Sequence, residues 1–294
     1  MNLLIIGSKG QLGSELVRAC KTSDFPFLAV DLPEFNITDL SCVENTIADF
    51  NPSIIINASA YTNVDDAETN PDIAFSVNRD GPANLATCCH KKMIPTIHIS
   101  TDYVFDGSSD RPYVETDPVS PLGVYGKSKE QGESRLRFIL NQHIILRTSW
   151  LYGKNGNNFV KTMLRYGNEK EILKVVSDQY GCPTCATDLA NAVLDISKQI
   201  SQSSKIIWGT YHYCGLGITT WHKLSEKIFD IASQYQNFKV LSIEEITTAE
   251  YPTRAKRPRF SALNCNLIKK HFGINIKPWQ ESLKKTIKRI LMVS

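Results

Sequence analysis

The sequence predicts an α/β protein built on a doubly wound parallel sheet, followed by a smaller and more irregular α/β domain. Short apolar runs alternate with segments of helical period through the first half of the 294-residue chain, which is typical of a parallel sheet with helices on both faces. A glycine-rich turn, from Gly7 to Gly13, follows the first apolar run and opens the first helical segment. Together these features favour a nucleotide-binding sheet at the start of the chain.

The predicted strands of this sheet are residues 3–6, 27–30, 54–56, 94–99 and 144–146. These runs lack polar alternation, as expected when helices cover both faces of a sheet. The segments between them have helical period, and we predict helices over residues 12–20, 40–50, 73–90 and 125–140.

After residue 150 the pattern loosens. Strands are predicted over residues 174–176 and 209–213, and helices over 188–200, 219–232 and 280–291. We therefore expect a dinucleotide-binding domain over residues 1–150, to which part of 186–214 returns. The remainder, 151–294, is expected to be mainly a substrate-binding domain.

Composition excludes several classes of protein. A hydrophobic content of 42% is too high for an intrinsically disordered chain, and no apolar run approaches the roughly 18 residues of a membrane span. The net charge of +3, with a few basic residues near position 257, is too small to indicate nucleic-acid binding. The apolar run at residues 3–6 is shorter than a secretory signal requires, so we expect a cytoplasmic protein whose eight cysteines are mostly free thiols.

The glycine-rich turn has the spacing G-x-x-G-x-x-G. Gly7 and Gly10 would permit a tight turn and a close approach to a pyrophosphate, and Gly13 would let the first helix pack closely on the strand. The N–H groups at the start of that helix would then face the phosphates. The alternative is a turn that binds nothing, but its position between a strand and a helix favours a Rossmann-type dinucleotide site.

Two charged residues beside this turn give opposed signals about the cofactor. Asp31 ends the second predicted strand, where a carboxylate accepts hydrogen bonds from the adenosine ribose and favours NADH. Lys9 lies inside the turn, where a cation suits the 2′-phosphate of NADPH. Asp31 could also be a simple loop residue. We expect both NADH and NADPH to work.

Tyr125 and Lys129 lie four residues apart on one face of a predicted helix. A lysine charge near the phenol lowers the phenol pKa, which makes the tyrosine a usable acid near neutral pH. Matching Tyr-x-x-x-Lys pairs begin at positions 166 and 235, but only Tyr125 lies between the fourth and fifth predicted strands. Thr101, at the end of the fourth strand, could bond the same carbonyl oxygen. The alternative is that Tyr125 is an ordinary surface residue.

Motifs along nearly the whole chain carry a family resemblance. They are GSKGQLG from Gly7, NASAYTNVDDAE from Asn57, VN at Val77, STDYVFDG from Ser100, YGKSK from Tyr125, RTSWLYG from Arg147, NF at Asn158, SDQYGCPT from Ser177 and RPRFSALN from Arg257. By these motifs the chain resembles the extended short-chain dehydrogenase/reductases, and among them the dTDP-4-dehydrorhamnose reductases. Two positions depart from the family pattern: Asn36 replaces a common Asp, and Leu267 replaces a commonly basic residue.

The resemblance implies reduction of the C4 keto group of a dTDP-4-keto-6-deoxy-L-hexose by a nicotinamide cofactor. Tyr125 would donate the proton, Lys129 would lower the Tyr125 pKa and hold the cofactor ribose, and Thr101 would orient the carbonyl. The implied cofactor pocket comprises Gly7, Lys9, Gly10, Gln11, Leu12, Gly13, Asp31, Asn36, Ile37, Ala58, Ala60, Tyr61, Tyr125 and Lys129. The implied substrate contacts are Thr62, Asp102, Tyr103, Trp150 and Arg257.

Other functions stay open from the sequence. They are another nucleotide-sugar 4-keto reductase or epimerase, and a non-catalytic protein like the regulatory subunit of methionine adenosyltransferase. The resemblance is compatible with a monomer or a homodimer.

Three further features of the sequence are not assigned a catalytic or metal-binding role. Glu15 matches a glutamate that binds magnesium between subunits in some relatives, but the remaining ligands cannot be matched, so no metal site is predicted and Glu15 is expected to be exposed. The Cys182-x-x-Cys185 pair is not interpreted as a redox or zinc site. His98, on a buried strand, is expected to be a hydrogen-bonded core histidine.

Overall fold

The computed structural model describes residues 1–23 and 25–292. Its strands are β1 Leu3–Ile6, β2 Phe27–Val30, β3 Ile54–Asn57, β4 Thr96–Thr101, β5 His143–Thr148, β6 Leu151–Tyr152, β7 Ile172–Val176, β8 Tyr180–Gly181, β9 Thr184–Cys185, β10 Gly209–His212, β11 Thr219–Thr220 and β12 Ser242–Ile246. Its α-helices are α1 Gln11–Cys20, α2 Leu40–Phe50, α3 Val64–Ala67, α4 Pro71–Phe75, α5 Gly81–Lys92, α6 Val124–Ile139, α7 Phe159–Glu169, α8 Ala186–Gln202, α9 Trp221–Ala232, α10 Asn266–Phe272 and α11 Trp279–Leu291.

The main sheet of the described residues is parallel, with the strand order β10-β5-β4-β3-β1-β2. Alternate side chains of β1 enter different cores, because successive residues of a strand point to opposite faces. Leu3 and Ile5 join the core formed with α1 and α8, whereas Leu4 and Ile6 join the core formed with α2, α5 and α6. The sheet is therefore covered on both faces, and the predicted doubly wound α/β fold is confirmed.

The chain after β5 builds smaller layers beside this sheet. β7 pairs in parallel with β12, β6 pairs with β9, and β8 pairs antiparallel with β11. α7, α9 and α11 close a separate apolar core around Leu164, Leu224 and Leu283. β10 lies in the main sheet beside β5, and α8 shares the α1 core. The division into a dinucleotide-binding and a substrate domain at residue 150 stays a prediction.

Helix ends follow local capping chemistry. Asp39 accepts hydrogen bonds from two backbone N–H groups at the start of α2, and Asn158 and Thr220 do the same with one each for α7 and α9. Thr219 and Thr220 were predicted to begin the helix over 219–232, but they form β11, and the helix starts at Trp221 because the Thr220 side chain caps it.

Several other predicted elements also have different bounds in the structure, and a helix and a strand of the first half show this clearly. The helix predicted over 73–90 consists of α4, a π-helical segment at Ser76–Asp80, and α5. The strand predicted over 94–99 runs from Thr96 to Thr101, because Met93 ends α5 in a left-handed conformation with φ 55° and the Ile94 nitrogen still donates to the Cys89 carbonyl of that helix.

The prediction that Glu15 is exposed is wrong. Its side chain is completely buried and accepts hydrogen bonds from Arg18, Thr187 and Arg289. Burial alone would raise the pKa of Glu15, but these hydrogen bonds from Arg289 and Arg18 outweigh it and hold the pKa below its ordinary value. The carboxylate is thus neutralised by guanidinium groups of the same chain.

All eight cysteines, which lie in the described part of the chain, are free thiols as expected. Residues 1–23 and 25–292 contain no helix with the length and apolar character needed to span a bilayer. In those same ranges, no three side chains of His, Cys, Asp or Glu gather in a metal-binding cluster.

Candidate active site

The glycine-rich turn brings the start of α1 against the carboxyl end of β3. Gly7 has φ +81°, a left-handed conformation that glycine adopts without strain, and a Cβ there would lie 2.6 Å from the Ser59 backbone nitrogen. A Cβ at Gly13 would lie 1.9 Å from the Gly7 carbonyl oxygen. These two glycines therefore permit the close packing expected of them, and α1 begins at Gln11 with its first N–H groups free to meet an anion.

Asp31 and Lys9 lie together beside this turn. Both Asp31 carboxylate oxygens accept backbone hydrogen bonds, from the Lys9 nitrogen at 2.7 Å and from the Leu32 nitrogen at 2.8 Å. The Lys9 ammonium donates to the Leu32 carbonyl at 2.6 Å and pairs with Glu34 at 3.2 Å. The ion pair between Glu34 and Lys9 was not predicted from the sequence. The position of Glu34 three residues after Asp31 was the signal that could have indicated it.

The segment after β3 forms the adjoining wall. Ala58 and Ala60 lie in it, and the Tyr61 backbone is held by Asn78, which accepts from the Tyr61 nitrogen at 2.8 Å and donates to its carbonyl at 3.0 Å. Asn78 lies in the π-helical segment and also donates to the Ser128 hydroxyl of α6. From the sequence, Asn78 was recognised only as part of a motif. In the structure its hydrogen bonds connect this wall to α6, the helix that carries Tyr125.

The remaining cofactor candidates lie at different depths. Leu12 is buried in the core with α1, and Gln11 accepts a hydrogen bond from Asn158. The Asn36 side-chain oxygen accepts a hydrogen bond from the Thr38 hydroxyl, and Ile37 is buried in the core with α2 and α5. Ile37 thus offers only its backbone to a ligand.

Thr101 and Tyr125 meet at the carboxyl end of β4. Thr101 is the last residue of this strand, and Tyr125 lies in the first turn of α6. Thr101 Oγ1 donates to Asp102 Oδ1 at 3.1 Å and accepts from the Tyr103 nitrogen at 3.2 Å, and the Tyr103 ring lies edge-on to the Tyr125 ring at 5.8 Å between centroids. Parallel sheets bind ligands at the carboxyl ends of their strands, so both hydroxyls belong to the edge where a ligand is expected.

Lys129 follows one turn later and is buried. Its Nζ donates to the Ile99 carbonyl at 2.7 Å and lies 3.4 Å from His98 Nε2. Burial lowers the pKa of Lys129 to about 8, an effect that the Glu133 carboxylate partly opposes. His98 is confirmed as a hydrogen-bonded core histidine, and its contact with Lys129 was not foreseen.

The expected lowering of the Tyr125 pKa is wrong for this arrangement. Burial raises the pKa of Tyr125 above its ordinary value, and the neighbouring Thr101 hydroxyl only partly offsets this. The Lys129 Nζ is instead engaged by the Ile99 carbonyl and by His98. The Tyr125 hydroxyl is consequently protonated at neutral pH, as a proton donor must be.

Two of the residues predicted to contact the substrate, Asp102 and Tyr103, adjoin this pair. Asp102 is buried next to Thr101, and burial raises the pKa of its carboxyl to about 7. Arg257 pairs with Asp65 at 2.8 Å, and its positive charge partly offsets the rise that burial causes in the pKa of Tyr103. Thr62 lies in the exposed loop before α3. Asp65 was missed, and nothing in the local sequence marks it as a partner for a residue 192 positions away.

Trp150 belongs to a separate aromatic stack. It has φ 46° and its ring lies parallel to the Trp221 ring at 3.5 Å. Gly181 leaves room for this ring, since a Cβ there would approach Trp150 to 2.4 Å. Trp150 was predicted as a substrate contact by the family resemblance alone. Its stacking with Trp221 was not predicted, because the two residues are distant in the chain.

Comparisons with known proteins agree with this geometry. A family model described as the RmlD substrate binding domain matches residues 1–292. A dTDP-4-dehydrorhamnose reductase of Aggregatibacter actinomycetemcomitans is 44% identical over 96% of this chain and 97% of its own length.

Two solved structures extend the likeness to three dimensions. A dTDP-4-dehydrorhamnose reductase of Clostridium acetobutylicum matches with a TM-score of 0.92 at 37% identity, covering 99% of both chains. Another, from Bacillus anthracis in complex with NADP, matches with a TM-score of 0.90 at 36% identity, covering 98% of this chain and 99% of the other. The motifs, the fold and these full-length matches agree: this chain belongs to the dTDP-4-dehydrorhamnose reductase family of extended short-chain dehydrogenase/reductases.

Proposed function

We propose that the chain reduces the C4 keto group of dTDP-4-dehydro-L-rhamnose with NADPH or NADH and forms dTDP-L-rhamnose, a precursor of surface polysaccharide. The observation that carries this proposal is the placement of Thr101 at the carboxyl end of β4 and of Tyr125 in the first turn of α6, with Lys129 buried one turn behind Tyr125. The family membership supports the same reaction.

The glycine-rich turn fits a dinucleotide. Side chains at Gly7 and Gly13 would collide with backbone, so the turn is built for close approach, and the free N–H groups at the start of α1 suit a pyrophosphate. Asp31, Lys9 and the wall at Ala58 and Ala60 would hold the adenosine and phosphate portions. When bound, the nicotinamide supplies the hydride.

Tyr125 supplies the proton to the C4 oxygen. Thr101 orients that oxygen by a second hydrogen bond, so the negative charge that develops on it meets two hydroxyl donors. Loss of the proton leaves a phenolate in a buried place, which is costly without a nearby cation. We assign this stabilising charge to Lys129, which must turn from the Ile99 carbonyl to provide it.

Arg257 is proposed to hold the substrate diphosphate, because a guanidinium matches phosphate geometry. It would then leave Asp65, whose other oxygen accepts from the Ala255 nitrogen and so anchors the same loop. Asp102, Tyr103, Thr62 and Trp150 keep their proposed roles as sugar and nucleotide contacts. A monomer or homodimer in the cytoplasm remains our expectation.

The proposal is tested by NADPH oxidation with a panel of nucleotide 4-keto sugars and by identification of the product. We expect turnover with the dTDP-4-keto-6-deoxy-L-hexose and formation of dTDP-L-rhamnose. Turnover only with a different sugar or base would show that another nucleotide sugar is the substrate. Cofactor binding without any turnover would favour the non-catalytic, regulatory-subunit alternative.

Cofactor preference is expected to be weak. The cation of Lys9 favours the 2′-phosphate of NADPH, the carboxylate of Asp31 opposes it, and Glu34 already pairs with Lys9. Since a single exposed ion pair changes affinity by up to about fivefold, the two kcat/KM values should lie within about tenfold. Steady-state kinetics with both cofactors should show that Lys9→Ala moves the preference toward NADH, and that Asp31→Ala and Glu34→Ala move it toward NADPH. A wild-type preference above about a hundredfold, far more than one such pair supplies, would contradict this.

A further inference from the structure

His98 lies within β4 and connects two elements of the candidate site. Its side chain is completely buried. Asn57 Nδ2, at the end of β3, lies 3.1 Å from His98 Nδ1, and Lys129 Nζ of α6 lies 3.4 Å from His98 Nε2. Each ring nitrogen of His98 therefore has one polar neighbour, and the donor and acceptor of each contact can be deduced.

The orientation of the Asn57 amide is set by Ser59. Asn57 Oδ1 accepts from the Ser59 backbone nitrogen at 3.1 Å and from the Ser59 hydroxyl at 2.7 Å. Reversing the amide would place its NH₂ group against the backbone N–H, which is always a donor. Asn57 must therefore direct its NH₂ toward His98.

This orientation determines the His98 tautomer. Burial lowers the pKa of His98 well below its ordinary value, and the nearby Lys129 and His143 act in the same direction, so the ring is neutral. A neutral imidazole has one donor and one acceptor nitrogen. Because Nδ1 accepts from Asn57, the proton lies on Nε2 and points toward Lys129.

Two donors face each other if Lys129 is an ammonium. The uncharged amine resolves the conflict, since its lone pair can accept from His98 Nε2–H while an amine proton is donated to the Ile99 carbonyl. Lys129 can lose its proton because burial already lowers its pKa to about 8. Glu133 of α6 favours the ammonium, but its carboxylate is bound by Arg147 and Arg137.

We propose that His98 is a positioning residue: the proton on its Nε2, set by Asn57, disfavours the ammonium form of Lys129 and so sets the upper pH limit at which this lysine carries its charge. The consequence for turnover rests on the proposed function. The ammonium is lost as pH rises, so activity that needs this charge should fall on the alkaline side, and removing the Nε2 donor should extend it to higher pH.

The first test does not depend on activity. Two-bond ¹H–¹⁵N spectra of the histidine-labelled full chain report which ring nitrogen carries the proton. We expect His98 to be the Nε2–H tautomer at neutral pH in the wild type. In Asn57→Asp a carboxylate can accept from both Ser59 and His98, so the proton should move to Nδ1, and this switch also assigns the signal. An Nδ1–H tautomer or an imidazolium in the wild type would overturn the proposal.

The second test measures the charge of Lys129. In Asn57→Asp, His98 Nε2 becomes an acceptor, so the Lys129 titration and the alkaline limb of kcat/KM should both rise by about one pH unit or more. The Lys129 titration is followed by the ¹³Cε resonance of labelled lysine, which is identified by its loss in Lys129→Met. Because this resonance needs no substrate, it separates failure of this inference from failure of the proposed reaction.

A matched background removes the direct effect of the new carboxylate charge. Asn57→Asp placed in His98→Phe retains that charge but lacks the ring that relays the proton. The shift in this background should be clearly smaller than the shift beside His98. Equal shifts in the two backgrounds, or no shift in either, would show that His98 does not control Lys129.

Discussion

Tyr125→Phe is expected to lower kcat by about 10²–10⁴-fold, the usual contribution of a general acid. The substitution removes only the phenolic hydroxyl, while the ring can keep its edge-on contact with Tyr103. Cofactor affinity and the free energy of unfolding should therefore stay near their wild-type values. The measurements are steady-state kcat with the dTDP-4-keto sugar and a fluorescence titration with NADPH.

Tyr166→Phe is the matched control, because Tyr166 begins a second Tyr-x-x-x-Lys pair in α7. In that pair the Lys170 ammonium lies 4.7 Å from the Tyr166 ring centroid, and Tyr166 packs against the core of α7, α9 and α11, not in the main sheet. Its kcat should match that of the wild type. A Tyr125→Phe variant with less than about a tenfold loss, below the range of a general acid, would remove Tyr125 from the mechanism.

Glu133→Leu is expected to destabilise the fold by about 3–5 kcal/mol. Glu133 is completely buried and binds the Arg147 guanidinium through Arg147 Nε at 2.9 Å and Nη2 at 2.6 Å. Arg147 is 3% exposed, so removal of the carboxylate leaves a buried cation without its partner. The free energy of unfolding, measured by urea titration, should report this loss directly.

Two variants separate this mechanism from general disruption of α6. Arg137 also pairs with Glu133 but is 35% exposed, so Arg137→Met should cost at most about 1 kcal/mol. The Glu133→Leu/Arg147→Met double variant should recover much of the stability, because no unpaired charge stays buried. If Glu133→Leu were no more destabilising than Arg137→Met, the buried pair would not be an important source of stability.

Local features of the chain were predictable because neighbouring residues decide them. Apolar runs identified β1, β2 and β3 within one residue, and the glycine spacing indicated a turn whose close packing the structure contains. The i,i+4 spacing placed Tyr125 and Lys129 on one face of α6. The motifs named the family, which the full-length matches confirm.

The first and last residues of helices and strands were less predictable where tertiary contacts compete with the local hydrophobic periodicity. The π-helical segment turns Asn78 toward Tyr61 inside what reads as one helix. Thr219 and Thr220 have the period of the helix that follows, yet they pair with β8. In each case a hydrogen bond to a distant residue outweighs a weak local preference.

The chain by itself determined the fold class, the turn and the Tyr125–Lys129 spacing, since these depend on periodicity and backbone freedom over a few residues. Only the tertiary structure decided the partners of the charged groups. Glu15 meets Arg289 across 274 residues, and Lys129 turns toward Ile99 and His98 instead of acting on Tyr125. Burial decides the charge state of such groups, and burial depends on which distant segments pack around them.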